Sequence, residues 1–229
     1  STQSVLIGGL PTRVLHRTGD PAPSTTAASF ATFQDPLLTG AHLSFQATLQ
    51  SGTGTPRTTT ATNSGLWTTL GGPLSLVARE GDPAPGAGGA LFSTFPALAA
   101  APDSIVFTAT LRGTGVRSAN NTGLWRHRPG LTELLLRKGD AFEITPVDVR
   151  TVSLIQALPA TVAYSPDQAR AFAADGAFRT LVSFTDRTTA ILVFPLNAPA
   201  YIETLQGDPV PAFSNAPLAT LGLPASGAT

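Results

Sequence analysis

A short motif recurs along this chain of 229 residues and constrains its fold more than any other feature. Gly-Asp pairs stand at positions 19–20, 81–82, 139–140 and 207–208, and three of the four continue as Pro-x-Pro. Successive pairs lie 62, 58 and 68 residues apart. A period of this size predicts a protein that is built from structural repeats stacked on one another.

Each repeat contains the patterns of four short strands, which we call a to d in chain order. Strand a is a Phe-x-x-Phe segment (residues 30–33 and 92–95), and strand b ends in Ala-Thr-Leu at Leu49 and Leu111. Strand b alternates apolar and polar residues, which predicts a half-buried strand. Strand c ends in Gly-Leu-Trp, at Trp67 and Trp125, and strand d precedes Gly-Asp. Gly and Pro between strands c and d predict a hairpin turn.

The two tryptophans stand fourteen residues before Gly81 and Gly139. The same offset before Gly207 and Gly19 falls on Val193 and Val5, each within an apolar run. We therefore interpret Val193 and Val5 as the residues that take the place of tryptophan in the other two repeats. Val5, Leu6 and Ile7 would then form strand c of an N-terminal unit.

Four strands in a repeat of about 60 residues are typical of a β-propeller blade. The sequence therefore predicts an all-β, propeller-like protein with about four blades, the closing one incomplete; tandem β-sandwiches are the alternative. We treat residues 1–229 as a single repeat domain. Its units are approximately residues 1–24 (strands c and d), 25–86, 87–141, 142–211 and 212–229 (strand a).

The composition limits the function more than it identifies it. Lys and Arg together number 14, as do Asp and Glu, and only 12% of residues are charged, which argues against a nucleic-acid-binding protein. No apolar run is long enough to predict a membrane span. The chain has no cysteine, which excludes disulfides, thiolate catalysis and cysteine-ligated metals. The Thr-rich, Lys-poor composition, with no Met at residue 1, suggests an extracellular or cell-surface protein whose signal peptide has been removed.

The repeat resembles a group of bacterial secreted or surface-anchored tandem-repeat proteins. Their units carry Asn-x-x-Gly-x-x-Ala-Phe, then Gly-Ile/Leu-Trp, then Arg-x-Gly-Asp-Pro-Ala-Pro. The similarity is strongest over residues 63–86 and 111–140, and it weakens where Ala100 and Asp103 replace the first Asn and Gly. The resemblance implies a repeat architecture and an exported location. It does not supply an enzymatic reaction.

Several repeated residues could form a site, but repetition itself favours a structural role. Arg17, Arg79 and Arg137 precede Gly-Asp by two residues, and with Asp20, Asp82 and Asp140 they could line a channel and bind an anion or a metal. We favour the interpretation that the Asp caps the turn after strand d and the Arg pairs within or between blades. Trp67 and Trp125 could stack on sugars, but packing between blades is favoured.

The remaining polar residues give no catalytic pattern. His16, His42 and His127 lie in different units without metal-ligand spacing. The only loose group of carboxylates is in the third unit, and its spacing does not establish a glycosidase pair. Its members are Asp148, Asp167, Asp175, Asp186 and Glu203. No nucleophile or phosphate-binding motif is present, so we predict no catalytic residue, no metal, no cofactor and no enzymatic activity.

Candidate glycosylation positions lie in Thr-rich loops and in one Asn-x-Thr triplet. They are Thr25, Thr26, Thr58, Thr59, Thr60 and Asn120.

Two functions from different classes remain open. The first is a non-enzymatic extracellular structural or interaction protein that self-assembles into a ring or filament, because a strand of one subunit completes the deficient blade of the next. Its expected interface residues are Val5, Leu6, Ile7, Phe213, Leu218 and Leu221. The alternative is a propeller that binds a glycan or a small anion through the divergent third unit; a propeller hydrolase is less favoured.

Overall fold

The computed structural model of this protein describes residues 4–7, 13–156, 172–173, 175–210 and 216–217. These residues form strands, turns and loops without a helix, which confirms the predicted all-β fold. In this part of the chain, no helix has the length and apolar character that crossing a membrane would require.

The strands form three meandering antiparallel sheets and two short antiparallel pairs. Sheet I contains β3 to β6, sheet II β7 to β10 and sheet III β11 to β15, each in chain order. The N-terminal hairpin contains β1 and β2, and the C-terminal pair contains β16 and β17. The bounds are β1 (Ser4–Ile7), β2 (Arg13–Arg17), β3 (Phe30–Thr39), β4 (His42–Leu49), β5 (Ser64–Thr68), β6 (Ser75–Arg79), β7 (Leu91–Ala100), β8 (Ile105–Arg112), β9 (Thr122–Arg128), β10 (Leu131–Arg137), β11 (Ala141–Thr145), β12 (Asp148–Gln156), β13 (Phe178–Phe184), β14 (Thr189–Phe194), β15 (Tyr201–Leu205), β16 (Pro209–Val210) and β17 (Ala216–Pro217).

Sheets I and II confirm the predicted order of strands a to d. Strand b of sheet I, β4, alternates between buried and half-buried residues over positions 45–49, as predicted. In β8, by contrast, both faces are buried, including Thr108 at 4% exposure. The polar residues of this strand lie on an inner surface because sheet II has a neighbouring sheet on each side.

Adjacent residues of strand c supply two different interfaces. Successive side chains of a strand point to opposite faces of the sheet, so Leu66 and Trp67 lie on different faces of sheet I. The loop that joins strand d to the next sheet is called the inter-sheet loop. Trp67 packs in a cluster with such a loop, between β2 and β3, and with Leu15 of the N-terminal hairpin. Leu66 instead joins the cluster that contains Trp125 of sheet II. One sheet further on, Leu124 packs in the cluster with Leu192 of sheet III. The Leu-Trp dipeptide therefore links each sheet to the elements before and after it.

The strand register corrects two of the predicted equivalences by one residue each. A register irregularity follows the same pattern in every c–d pair, and it aligns Trp67 opposite Leu76 and Trp125 opposite Leu134. In the other two c–d pairs, the residues at the same position relative to the irregularity are Leu6, opposite Val14, and Leu192, opposite Ile202. Leu6 and Leu192, not Val5 and Val193, therefore take the tryptophan position. The offset of fourteen residues fails because the c–d turns differ in length, and a slip of one residue reverses the face of every side chain.

Sheet III departs from the predicted four strands because it contains a fifth, β11. The chain after Asp140 lacks the Pro-x-Pro of the other units, and residues 141–145 pair with β12. In the other units, Pro21 and Pro83 each form only an isolated bridge, with Ser29 and Leu91 eight residues later. Pro209 pairs with Pro217, which is also eight residues later in the chain.

Some of the predicted residues cannot be placed. Phe213, Leu218, Leu221 and Asp167 lie outside the described residues, and β1 is described by its backbone pairing rather than by the side chains of Val5, Leu6 and Ile7. The boundaries of the repeat units remain a prediction.

Candidate functional site

In three of the four units, the Asp of the repeat caps a tight turn at the end of strand d. The carboxylate of Asp20 accepts a hydrogen bond from the backbone N–H of Arg17 at 2.8 Å. Asp140 accepts from Arg137 and Asp208 from Leu205, both at 2.7 Å. This is the turn-capping role that the sequence favoured, and short polar side chains commonly satisfy backbone donors in this way.

The Arg of the repeat binds backbone carbonyls of the loop between strands b and c. Arg79 donates from Nε to the carbonyl of Thr62 at 2.7 Å, and Arg137 donates from Nε to that of Asn120 at 2.8 Å. Arg137 also reaches the carbonyl of Ala87 in the inter-sheet loop at 3.1 Å. The guanidinium groups of Arg79 and Arg137 therefore bind loops of the scaffold, whereas Arg17 is exposed.

The two tryptophans are fully buried and are not available to stack on sugars. The indole of Trp67 stacks on Phe45 at a centroid separation of 6.3 Å, and that of Trp125 stacks on Phe107 at 6.0 Å. The Gly of the Gly-Leu-Trp motif lies under the indole: a Cβ on Gly123 would come within 2.5 Å of the Trp125 ring. The whole tripeptide is therefore a packing unit.

A buried cation that the sequence did not predict joins sheets II and III. Arg126 is 2% exposed, and its guanidinium donates to the backbone carbonyls of Phe194 and Pro195, at 2.7 Å for the latter. Burial lowers its pKa, and its Nε has no hydrogen-bond partner in the described part of the chain. The sequence signalled only a basic triplet at residues 126–128, because the partners lie about 70 residues away along the chain.

The histidines occupy three separate places. The ring of His16 lies edge-on to Phe30, Nδ1 of His42 is 3.3 Å from the Thr69 carbonyl, and Nδ1 of His127 is 2.8 Å from the Thr132 hydroxyl. Burial lowers the pKa of His127. Among the described residues, no three His, Asp or Glu side chains come close enough together to hold a metal ion.

The loose group of carboxylates divides into separate structural contacts. Asp148 and Asp186 both contact Arg150, at 2.7 Å and 3.4 Å. Hydrogen bonds from Arg150 and from Thr188 respectively lower the pKa of Asp148 and of Asp186, so both are poor general acids. Glu203 pairs with Arg179 at 2.9 Å. This arrangement does not resemble a pair of glycosidase carboxylates with one raised pKa.

Asp175 belongs instead to a cleft where three sheets meet. The cleft has a volume of about 440 Å³ and is lined by the end of β3 at Thr39, the β7–β8 turn and the segment before β13. Its walls are mainly apolar, with Asp103 and Asp175 as the acidic residues among them. Lining residues are Thr39, Ala100, Ala101, Pro102, Asp103, Phe172, Ala173, Asp175 and Gly176.

The candidate glycosylation residues differ in accessibility. Thr58 is 2% exposed and its hydroxyl accepts a hydrogen bond from Arg79, so this residue is not available to a glycosyltransferase in the folded protein. The Asn120 side chain makes two hydrogen bonds within its own turn, to residues 115 and 117. Thr26, Thr59 and Thr60 are exposed, and Thr25 is half-buried.

These contacts define an all-β repeat protein in which the repeated residues form turns, loops and sheet interfaces. Residues 5–198 match the family DUF7453, a family of unknown function, and the chain belongs to that family. No curated protein matches the chain significantly. No solved structure does so either.

Proposed function

We propose that this protein is a non-enzymatic extracellular structural module of the β-propeller type, and that its copies self-assemble by adding a strand to the open edge of β1. The extracellular location rests on the composition and on the resemblance to exported repeat proteins.

The packing of the sheets favours a propeller-like arrangement over tandem β-sandwiches. A sandwich buries one face of each of two sheets. Sheet II instead packs one face against sheet I, through Trp125, and the other against sheet III, through Leu124. Serial packing of four-stranded meanders is the arrangement of propeller blades.

The use of the repeated residues supports a non-enzymatic role. Three of the repeated Asp residues cap turns, Arg79 and Arg137 bind loops, and the Gly and Trp of Gly-Leu-Trp pack in the core. An enzyme of this fold would need a site elsewhere with a nucleophile or a tuned acid and base.

The observation that carries the assembly proposal is the unequal pairing of the third strands. In the described part of the chain, β5, β9 and β14 each have a strand on both sides, whereas β1 pairs with β2 alone. No other described strand pairs with the second edge of β1, and an extended segment can add to an edge of this kind. Strand donation between copies is heterologous, so it produces rings or filaments.

The test is the mass of the protein in solution, measured by light scattering and mass photometry from low to high micromolar concentration. Leu6→Pro removes a backbone donor from β1. Leu218→Asp places a charge in residues 213–221, which we expect to be the donated segment. We expect assembly of the unchanged protein and loss of assembly in each variant, with Thr60→Asp, which places a charge in an exposed loop of sheet I, as the control. Mixing the two variants should give dimers and nothing larger, because each copy retains one working end. An unchanged protein that stays monomeric throughout would overturn the proposal.

A further inference from the structure

The inter-sheet loop between β6 and β7 contains a peptide bond with unusual chemistry. Asp82 is followed by proline, as are Asp20 and Asp208 in the other units that keep Gly-Asp-Pro. An Asp–Pro bond is sensitive to acid, because the aspartyl carboxyl can attack its own backbone carbonyl and the proline nitrogen is a basic leaving group. A further Asp–Pro bond, at residues 35–36, lies within β3, and the side chain of Asp35 is outside the described residues.

Asp82 and Asp20 share the backbone geometry of the Gly-Asp turn. The amide of each donates to the carbonyl of the Arg three residues earlier, at 3.1 Å in both turns. The carbonyl oxygen of each accepts a hydrogen bond of 3.0 Å from the backbone N–H of a phenylalanine, Phe92 or Phe30. Such a donor stabilises the negative charge that this oxygen gains when its carbonyl carbon is attacked. The carbonyl groups of the two Asp–Pro bonds are therefore equally prepared for attack.

The two turns differ in the side chain of the Asp. The carboxylate of Asp20 is held by the backbone N–H of Arg17, and that of Asp208 is held by the backbone N–H of Leu205. The carboxyl of Asp82 accepts no hydrogen bond from any residue in the described part of the chain, and Asp82 is partly exposed to water. A capping bond must break before its carboxyl can attack, so the carboxyl of Asp82 is free to react where those of Asp20 and Asp208 are not.

The charged groups around Asp82 leave its carboxyl unpaired. Burial raises the pKa of Asp82, and Arg79 opposes this rise electrostatically, although its guanidinium is bound to the loop between strands b and c. Arg112, beside Gly81, is likewise bound to a backbone carbonyl of that loop, and the Glu80 carboxylate accepts a hydrogen bond from a backbone N–H of strand c. The carboxyl of Asp82 therefore keeps its proton to a higher pH than an ordinary Asp, and the leaving nitrogen needs this proton.

We propose that the folded protein cleaves its own chain between Asp82 and Pro83 in mild acid. An oxygen of the Asp82 carboxyl attacks the carbonyl carbon of the same residue, and the carboxyl proton passes to the Pro83 nitrogen. The C–N bond then breaks, which leaves a cyclic anhydride at Asp82 and a secondary amine at Pro83. Water hydrolyses the anhydride and restores both carboxyl groups of a C-terminal Asp82. The reaction occurs once per chain, so it is not enzymatic turnover, and it is independent of assembly at β1.

The test is incubation of the full 229-residue chain between pH 7 and pH 4, with mass spectrometry of the fragments. Cleavage at Asp82 gives residues 1–82 and 83–229, and its rate should increase as the pH falls. In the folded protein, this bond should be cut about tenfold faster than the bonds after Asp20 and Asp208, because their carboxyls must first break a hydrogen bond. Tryptophan fluorescence identifies the conditions in which the protein is folded. Equal rates at the three bonds of the folded protein would overturn the proposal.

Substitution and unfolding separate this reaction from a contaminating protease and from general acid hydrolysis. Asp82→Asn removes the attacking carboxyl and should reduce cleavage after residue 82 to background. Asp20→Asn is the matched control and should leave that cleavage unchanged. In urea at the same pH, where the capping bonds are lost, the three bonds should be cut at similar rates. Cleavage that survives Asp82→Asn, or a preference for residue 82 that persists in urea, would overturn the proposal.

Discussion

The indole Nε1–H of Trp125 donates a hydrogen bond to the carbonyl oxygen of Pro85 at 2.9 Å. Trp67 makes the same bond to Pro23 at 3.1 Å. Each proline is the last residue of Gly-Asp-Pro-Ala-Pro, and each tryptophan ends Gly-Leu-Trp. The two most recognisable motifs of the sequence are therefore the two partners of one contact, which attaches the inter-sheet loop to the third strand of the next sheet.

Trp125→Phe and Trp67→Phe should destabilise the protein by similar amounts. Each substitution removes the bond to proline and leaves a small cavity in a fully buried position, so we expect a loss of about 1–3 kcal/mol. Urea denaturation of the two variants measures it. A neutral effect at either position would show that the contact does not hold the loop.

Gly123→Ala should destabilise the protein more than Gly65→Ala. A Cβ would lie 2.5 Å from the Trp125 ring at Gly123 and 2.8 Å from the Trp67 ring at Gly65. Overpacking of this kind costs about 1–3 kcal/mol. The matched control is Gly123→Ala combined with Trp125→Phe, which provides space for the methyl group and should recover part of the loss. The account is wrong if Gly123→Ala is equally harmful with Phe at residue 125.

Arg126→Met should weaken the junction between sheets II and III. The substitution leaves the buried carbonyls of Phe194 and Pro195 without their donor, and we expect a loss of about 2–3 kcal/mol in the free energy of unfolding. Arg128→Met is the control: it removes a half-exposed ion pair with Glu133 and a long hydrogen bond of 3.5 Å to the Leu196 carbonyl, and it should cost less than about 1 kcal/mol. Equal losses in the two variants would contradict a special role for Arg126.

Glu80→Gln should change how stability depends on pH. Glu80 is buried beside Ser64, whose backbone N–H it binds, and burial raises its pKa. A raised pKa in the folded state means that this carboxyl favours folding below its unfolded pKa, and that the contribution is lost as the pH rises through its folded pKa. Gln keeps the acceptor without the charge. The stability of the Gln variant relative to the unchanged protein should therefore improve from pH 4 to pH 7; the opposite trend in denaturation midpoints would contradict the assignment.

The all-β class and the strand order of sheets I and II were accessible from the sequence because the same pattern recurs in several units. The Gly-Asp turns, the c–d hairpins and strands a and b follow from local chemistry that recurs in several units. The tryptophan equivalence of Leu6 and Leu192 was missed because chain offsets count turn residues, and turn length varies. A signal for β11 was present, since residues 141–145 alternate in character where the other units have Pro-x-Pro.

The sites were less accessible because they depend on single, unrepeated residues. Arg126 binds carbonyls of another sheet, and Asp103 meets the Asp175 segment only through packing of three turns. Neither relationship leaves a periodic pattern in the chain. The residues that do repeat, in Gly-Leu-Trp and Gly-Asp, instead form the turns and the packing of the sheets.

The most direct test of the proposed assembly is hydrogen–deuterium exchange of the peptide that contains β1, measured across a range of protein concentrations. If a strand from another copy adds to this edge, protection of the Ser4–Ile7 amides should increase with concentration, while the amides of β9, already paired on both sides, should show constant protection. Protection of β1 that does not change with concentration would contradict strand addition between copies.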